Sequence, residues 1–225
     1  MGRGDGGETM RMGVAWAAAA AVAMAGLLGA ASVASADDAK RAEEIVQGKC
    51  FLCHGADGES SSPVFPRLAG QNAAYAAEQL RMFRDGKRVN VLMSAMAVGL
   101  SDEDIADIAA YYAAQTPAGL EADPSYWQAG EALYRAGDRT RNIPSCKACH
   151  GPVGKGNPGS GYPALRAQHS VYTVKQLNDY AAEQRYVDAE GNKQRSRNGH
   201  MMVTISKRLT ADDMRNLASY IQGMR

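Results

Sequence analysis

The chain has 225 residues, of which 45% are hydrophobic and 22% are charged, and its formal net charge is +1. This charge lacks the basic excess typical of nucleic-acid-binding proteins, so no nucleic-acid partner is expected. The charge is unevenly divided, because residues 37–119 carry a net −4 and residues 120–225 a net +5. Such a dipole could orient the protein on charged partners, although an accidental imbalance explains it equally well.

The first 36 residues have the pattern of a secretory signal peptide. Arg11 precedes an uncharged, Ala-rich run, and Ala34, Ser35 and Ala36 supply the small residues that precede a cleavage site. We predict cleavage after Ala36 and a periplasmic mature protein. A retained membrane anchor is the alternative, since the run is long enough to span a bilayer. Whether the mature protein is soluble or attached to the membrane surface stays open.

Two five-residue stretches carry the chemistry of the chain. Residues 50–54 read CFLCH and residues 146–150 read CKACH, and together they use all four cysteines. In a Cys-x-x-Cys-His motif the thiols attach covalently to haem and the histidine binds its iron. Local disulfides or a zinc site would leave the repeated histidine unexplained, so we predict two covalently bound haem c groups. The residues expected to hold them are Cys50, Cys53, Cys146 and Cys149, with His54 and His150 on the iron.

The sequence around these motifs is repeated. At an offset of 97 residues, 65–80 matches 162–177, and at an offset of 109, 100–111 matches 209–220. The second copy therefore holds about twelve extra residues between the two matching segments. A repeat of this kind predicts two similar modules.

We expect domains at 37–119 and 120–225, after the signal peptide at 1–36. The boundary is placed at residues 116–119, which read TPAG and show no apolar period.

Each copy is predicted to be all-helical, because no segment alternates with period two for long enough to form a sheet. A helix leads into the haem motif, and a middle helix and a C-terminal helix follow it, separated by loops. Ser101 and Thr210 are the expected N-caps of the C-terminal helices, with Asp104 and Asp213 completing capping boxes. The other predicted helices cover 39–50, 72–85, 124–136 and 171–184. Asp123 is the expected N-cap of the helix at 124–136.

The second axial position of each iron decides between an electron carrier and a catalyst. A methionine thioether closes the site and raises the potential of the iron, which suits electron transfer. Counting back seven residues from the paired Leu100 and Leu209 gives Met93 and Met202, a match that no other methionine makes. We predict these two as ligands, and the alternative is that both pack in the core. His200, whose position pairs with Val91, and His169 are expected not to bind iron.

Two prolines are expected to orient the iron-binding histidines. Pro66 and Pro163 follow His54 and His150 by twelve and thirteen residues. An iron-bound imidazole usually donates its other N–H to a nearby acceptor, and a proline carbonyl is suited to this role. Stiffening of the loop is the alternative.

These residues resemble the dihaem cytochrome c4 family over the whole mature chain. Beyond the haem motifs, the resemblance rests on residues 65–71 (FPRLAGQ), 100–105 (LSDEDI) and 217–223 (LASYIQG). It implies two class I cytochrome c domains related by a pseudo-twofold axis, with haem c, histidine and methionine ligands in each. It also implies that the Pro66 and Pro163 carbonyls accept the histidine N–H groups.

The expected function is electron transfer in a respiratory chain, from a quinol-oxidising complex or another donor to a terminal oxidase. The basic segment 185–197 is a candidate docking surface, although it could equally be a solvated loop. Alternatives are a haem enzyme, such as a dihaem peroxidase or a thiosulfate-oxidising dehydrogenase, and an electron-transfer subunit of a larger oxidoreductase. An enzyme of this kind would need an open or displaceable axial position, which paired methionines would not provide.

Overall fold

The computed structural model describes residues 36–225, which are helical apart from turns, loops and three isolated β-bridges. The predicted signal peptide lies outside the described residues except for Ala36, where the first helix begins. Cleavage after Ala36 and the domain boundary at 119 stay predictions. Within residues 36–225, no helix has both the length and the apolar character needed to cross a membrane.

The two copies contain the same order of helices. The first copy comprises α1 (Ala36–Ile45), a π-helical turn (Val46–Cys50), α2 (Phe51–His54), α3 (Ala73–Arg84), α4 (Val91–Ala97) and α5 (Asp102–Ala114). The second comprises α6 (Trp127–Ala136), α7 (Lys147–His150), α8 (Ser170–Ala181), α9 (Gly199–Ser206) and α10 (Ala211–Gly223).

Each copy has a core in which its first helix packs on its last. In the first copy, α1 contacts α5 and the core includes Val46, Ile105 and Tyr112. In the second copy, α6 contacts α10 and the core includes Leu133 and Leu217. The apolar stripes predicted for the two C-terminal helices are therefore core residues, as expected from their helical spacing.

The crossing of α6 and α10 depends on a glycine. Gly130 is buried in α6, and a Cβ atom built on it would lie 2.0 Å from the carbonyl oxygen of Asn216 in α10. Only a residue without a side chain allows the two backbones to approach this closely.

The start of α6 differs from the prediction. The helix begins at Trp127, and Tyr126 occupies the N-cap position that was expected of Asp123. The Asp123 side chain does accept the backbone N–H of Ser125, 2.8 Å away, but residues 124–126 form a turn and not the first turn of the helix. Aspartate side chains compete for nearby backbone N–H groups in this way, so the turn delays the helix by three residues. The middle helices α3 and α8 agree with the prediction to within three residues.

Two short helices, α4 and α9, were predicted as loops. Val91 and Leu92 in α4 are 85% and 58% exposed, so apolar residues lie on the outer face of this helix. The sequence therefore lacks the alternation of apolar and polar residues, with a period of 3.6, that predicts a surface helix. In α9 the first residue is Gly199, a poor helix former. The prediction was therefore wrong for the segments that carry Met93 and Met202.

Both predicted capping boxes are present. At α5, Ser101 Oγ accepts the N–H of Asp104 at 3.0 Å, and the Asp104 carboxylate accepts the N–H of Ser101 at 2.9 Å. Thr210 and Asp213 make the same exchange at α10. The N–H of Ser101 holds the pKa of the Asp104 carboxyl below its usual value.

Replacing Asp104 with asparagine is expected to reduce stability at pH 7 by at most about 1 kcal/mol, since the site is solvent-screened. A lowered folded pKa stabilises the fold above the ordinary carboxyl pKa of about 4, and this contribution disappears as pH falls through the folded value. Urea unfolding at several pH values should therefore show the difference between wild type and Asp104→Asn shrinking towards acid pH. In Ser101→Ala the loss should persist at acid pH. A pH-independent loss in Asp104→Asn would contradict this account.

Candidate haem sites

The two histidines of the haem motifs occupy equivalent positions. His54 ends α2 and His150 ends α7, and both are buried, with 6% and 7% of their surface exposed. Each is followed by a glycine with positive φ, Gly55 at 76° and Gly151 at 80°. These glycines end the helices in a conformation that other residues adopt only at a cost.

Both histidine rings contact a proline carbonyl. His54 Nδ1 lies 2.8 Å from the oxygen of Pro66, and His150 Nδ1 lies 2.9 Å from that of Pro163. Burial lowers the pKa of both imidazoles, so the neutral ring is favoured. A neutral ring that donates through Nδ1 leaves Nε2 without a proton and free to bind a metal. The geometry therefore fits the orientation predicted for iron-binding histidines.

The four cysteines are free and partly buried. Cys50 ends the π-helical turn and Cys53 lies in α2. With the same spacing, Cys146 directly precedes α7 and Cys149 lies in it. Burial raises the pKa of the Cys146 thiol to about 11 and also raises that of Cys50. Paired thiols beside a histidine with a free Nε2 are the donor set that covalent attachment of haem c requires.

The predicted methionine ligands lie in the two unpredicted helices. Met93 packs against the core of the first copy, and its N–H is capped by Asn90 Oδ1 at 3.0 Å. Met202 packs against a buried cluster that includes Tyr180 and Tyr186. Met93 is thus held by its own copy, whereas the cluster around Met202 also includes Met82 of the first copy. The roles of both methionines on iron stay predictions.

The other methionines occupy different environments. Met82 and Met214 are buried within helices, as predicted, whereas the buried Met224 directly follows α10 instead of lying in it. Met96 is 47% exposed and Met201 is partly buried.

The two remaining histidines differ from each other. His200 is exposed, in agreement with its expected surface position. His169 is buried, and its Nε2 lies 2.8 Å from the carbonyl oxygen of Ser60 in the other copy. Nothing in the sequence indicates this contact except that His169, like its counterpart Asn72, follows a repeated glutamine.

Two glutamines join the copies reciprocally. The Gln71 amide donates to the carbonyl of Ala164 at 3.0 Å and accepts its N–H at 2.9 Å. The Gln168 amide makes the same pair of bonds with Arg67, both at 2.9 Å. Gln71 and Gln168 are 97 residues apart, and so are Arg67 and Ala164. Such an exchange of equivalent contacts is the pattern of a twofold interface.

Part of the candidate docking segment 185–197 is unsuitable for docking. Arg185 is only 5% exposed and lies between the two copies, so it cannot contribute to an outer surface. Lys193, Arg195 and Arg197 are exposed. A charge pattern alone could not distinguish these environments, because the burial of Arg185 depends on residues from the other copy.

The comparisons with known proteins agree with this duplicated architecture. The cytochrome c family model matches residues 127–225, and the model for subunit III of cbb3-type cytochrome c oxidase matches residues 37–111. Cytochrome c4 of Pseudomonas aeruginosa is 40% identical over 201 residues, which cover 89% of this chain and 93% of that protein. The chain belongs to the cytochrome c4 family.

Other members and neighbours of the cytochrome c4 family extend this comparison. The crystal structure of reduced cytochrome c4 from Pseudomonas stutzeri superposes with a TM-score of 0.74 at 36% identity, covering 83% of this chain and 98% of that one. A protein named thiosulfate dehydrogenase electron acceptor, from Thiomonas intermedia, is 35% identical over 76% of both chains.

Membership establishes the class of protein and its cofactors. The chain consists of two cytochrome c domains, each with a Cys-x-x-Cys-His motif, and it carries two covalently bound haem c groups. Cytochrome c4 proteins transfer electrons and are not enzymes, so the chain is an electron carrier that works with redox partners.

Proposed function

We propose that the protein is a periplasmic dihaem carrier that passes electrons along a respiratory chain to a terminal oxidase. In this proposal His54 and Met93 bind the first iron, and His150 and Met202 bind the second. The observation that carries it is the duplicated contact between a buried histidine Nδ1 and a proline carbonyl, at 2.8 and 2.9 Å.

The protein groups would act chiefly by holding the ligands still. The Pro66 and Pro163 carbonyls fix the two imidazole rings, and packing against buried clusters holds the methionines. When bound, each haem supplies one-electron exchange between ferric and ferrous iron. If both axial ligands are retained in both states, little has to move when an electron arrives or leaves.

The surface around α4 supports an encounter with a protein partner. Three exposed apolar side chains lie close together in sequence beside Met93: Val89 (45% exposed), Val91 (85%) and Leu92 (58%). Exposed apolar groups of this kind are typical of interaction surfaces. The charges of −4 and +5 on the two predicted domains add an orienting dipole.

A second candidate donor is a thiosulfate dehydrogenase. The observation that favours it is the 35% identity to a thiosulfate dehydrogenase electron acceptor over 76% of both chains. Such a donor and a terminal oxidase could serve the same carrier at opposite ends of its cycle.

Stopped-flow oxidation of the reduced holoprotein by membranes that contain terminal oxidases should test the proposal. We expect rapid oxidation at low salt that slows as ionic strength rises, because the dipole is screened. A parallel reaction of the oxidised protein with thiosulfate dehydrogenase and thiosulfate tests the second donor. Failure of oxidase-active membranes to oxidise the protein at any salt concentration would contradict the respiratory role.

A further inference from the structure

One buried hydroxyl group of the second domain has no hydrogen-bond partner. Ser206 is the last residue of α9, and its side chain is fully buried, with 0% of the residue exposed. Within residues 36–225, its Oγ makes no hydrogen bond. A buried hydroxyl costs free energy unless a partner satisfies it, so an acceptor is expected close to this atom.

The backbone of α9 does not satisfy this hydroxyl. A serine or threonine in a helix can donate to the carbonyl oxygen four residues before it. Thr204 does so, since its Oγ1 donates to the carbonyl of His200 at 3.1 Å. Ser206 Oγ makes no such bond to the carbonyl of Met202. The acceptor must therefore be a group other than the local backbone.

Ser206 lies one helical turn after Met202, the predicted ligand of the second iron. Side chains four residues apart lie on the same face of a helix, with their Cβ atoms about 5–6 Å apart. A helical side chain also leans towards the N-terminus of its helix, so Ser206 points back over the turn that carries Met202. The acceptor that this arrangement offers is the thioether sulfur of Met202, since a thioether accepts weak hydrogen bonds.

The first domain has no hydroxyl at the equivalent position. Ala97 and Ser206 are 109 residues apart, as are Met93 and Met202. Ala97 is also 0% exposed, and it belongs to the core against which Met93 packs. The repeat therefore places a methyl group in one predicted haem pocket where it places a hydroxyl in the other.

We propose that the Ser206 hydroxyl donates a hydrogen bond to the sulfur of Met202 and thereby raises the midpoint potential of the second haem. Ser206 is thus a positioning residue, which acts on the iron through its ligand. The inference rests on the proposed function, in which Met202 binds the second iron.

The direction of the effect follows from the electron density on the sulfur. A hydrogen bond to the sulfur draws electron density from it and makes it a poorer donor to iron. Weaker donation disfavours ferric iron, which carries the extra positive charge, so the potential rises. Hydrogen bonds to axial ligands are one means by which a protein adjusts the potential of a haem. Ser206 would make the second haem easier to reduce than alanine would at the same position.

The test compares holoprotein variants that lack the hydroxyl. Ser206→Ala gives the second domain the residue that the first domain has at Ala97, so it should fold and bind both haems. Thr204→Val is the matched control, because it removes a hydroxyl from the same helix that is already bonded to the carbonyl of His200. Spectroelectrochemical titration gives both midpoint potentials, and the potential that falls in Met202→Ala identifies the second haem. We expect Ser206→Ala to lower that potential and to shift the red-edge absorption band from methionine to ferric iron, and Thr204→Val to change neither.

A double-mutant cycle shows whether the hydroxyl acts through the sulfur. Met202→Ala removes the sulfur, so adding Ser206→Ala should leave the second potential where Met202→Ala alone has placed it. A further shift in the double variant would assign the hydroxyl to the haem or to a buried water and would overturn the proposal. A second potential in Ser206→Ala equal to or above that of the wild type would overturn it as well.

The reciprocal change tests the equivalent position of the first domain. Ala97→Ser places a hydroxyl one turn after Met93, and we expect the first potential to rise while the second stays unchanged. A pyridine haemochrome assay checks that two haems are bound. With both haems present, an unchanged or lowered first potential would contradict the proposal. If Ala97→Ser does not bind both haems, Ser206→Ala and the double variant decide the matter.

Carbon monoxide separates a failure of this inference from a failure of the proposed ligation. If reduced Met202→Ala does not bind carbon monoxide, Met202 is not the ligand, and both the ligation and the role of Ser206 are wrong. If reduced Met202→Ala binds carbon monoxide while Ser206→Ala keeps the wild-type potentials, only the role of Ser206 is wrong.

Discussion

Replacing Met93 or Met202 with alanine is expected to open one of the two haems to carbon monoxide. Loss of the thioether leaves an open axial position on the iron, and its potential should fall because methionine ligation raises it. Reduced Met93→Ala and Met202→Ala should each bind about one carbon monoxide per protein, compared with none for the wild type. Optical titration with carbon monoxide and spectroelectrochemistry would measure both effects, together with loss of the red-edge band from methionine to ferric iron.

Neighbouring methionines provide matched controls for this experiment. Met96→Ala and Met201→Ala remove the same side chain within three residues of each predicted ligand. We expect both to remain closed to carbon monoxide with near wild-type potentials. Opening of a haem in either control, without opening in Met93→Ala or Met202→Ala, would reassign the ligand. Ready binding of carbon monoxide by the wild type would contradict a closed site in that domain.

Gly130→Ala is expected to have the largest effect on stability. The added Cβ would lie 2.0 Å from the Asn216 carbonyl oxygen, and no rotamer change can relieve a clash between a Cβ and backbone. Helices α6 and α10 would have to separate, which costs about 3 kcal/mol by analogy with overpacked cores. For a chain of this size the melting temperature should fall by roughly 6–12 °C. Thermal unfolding followed by circular dichroism would measure the change.

The corresponding part of the first domain supplies the control. Gly48 lies in the π-helical turn that leads into the first haem motif, and a Cβ there would contact nothing within 4 Å. Gly48→Ala should therefore be neutral or slightly stabilising, since alanine loses less chain entropy than glycine. Equal melting temperatures for Gly130→Ala and Gly48→Ala would refute the close approach of α6 and α10.

The parts of the fold that the sequence predicts are those with local causes. The capping boxes at Ser101 and Thr210 depend on residues three apart, so a short motif identifies them. The apolar stripes of α5 and α10 face one core each and therefore show helical spacing. By contrast, α4 leaves Val91 exposed, and no periodic pattern could reveal it.

Local sequence patterns could not predict the contacts between the domains. Arg185 reads as one of several basic residues in a polar loop, yet contacts from the other domain bury it. The signal that could have identified it is the repeat, because Arg88 lies 97 residues earlier at the equivalent position. The capping role expected of Asp123 failed for a different reason, since the N–H of Ser125 that its side chain accepts belongs to a turn and the helix begins only at Trp127.

The glutamine contacts between the domains have a consequence for how the protein can change over time. Across the interface, the Gln71 and Gln168 side chains contact backbone atoms of Ala164 and Arg67, so these hydrogen bonds do not depend on which side chains stand at positions 67 and 164. Position 67 is arginine and position 164 is alanine, and both pairs of glutamine hydrogen bonds are present. After a gene duplication, hydrogen bonds of this kind allow the side chains at positions 67 and 164 to change while the two halves remain docked.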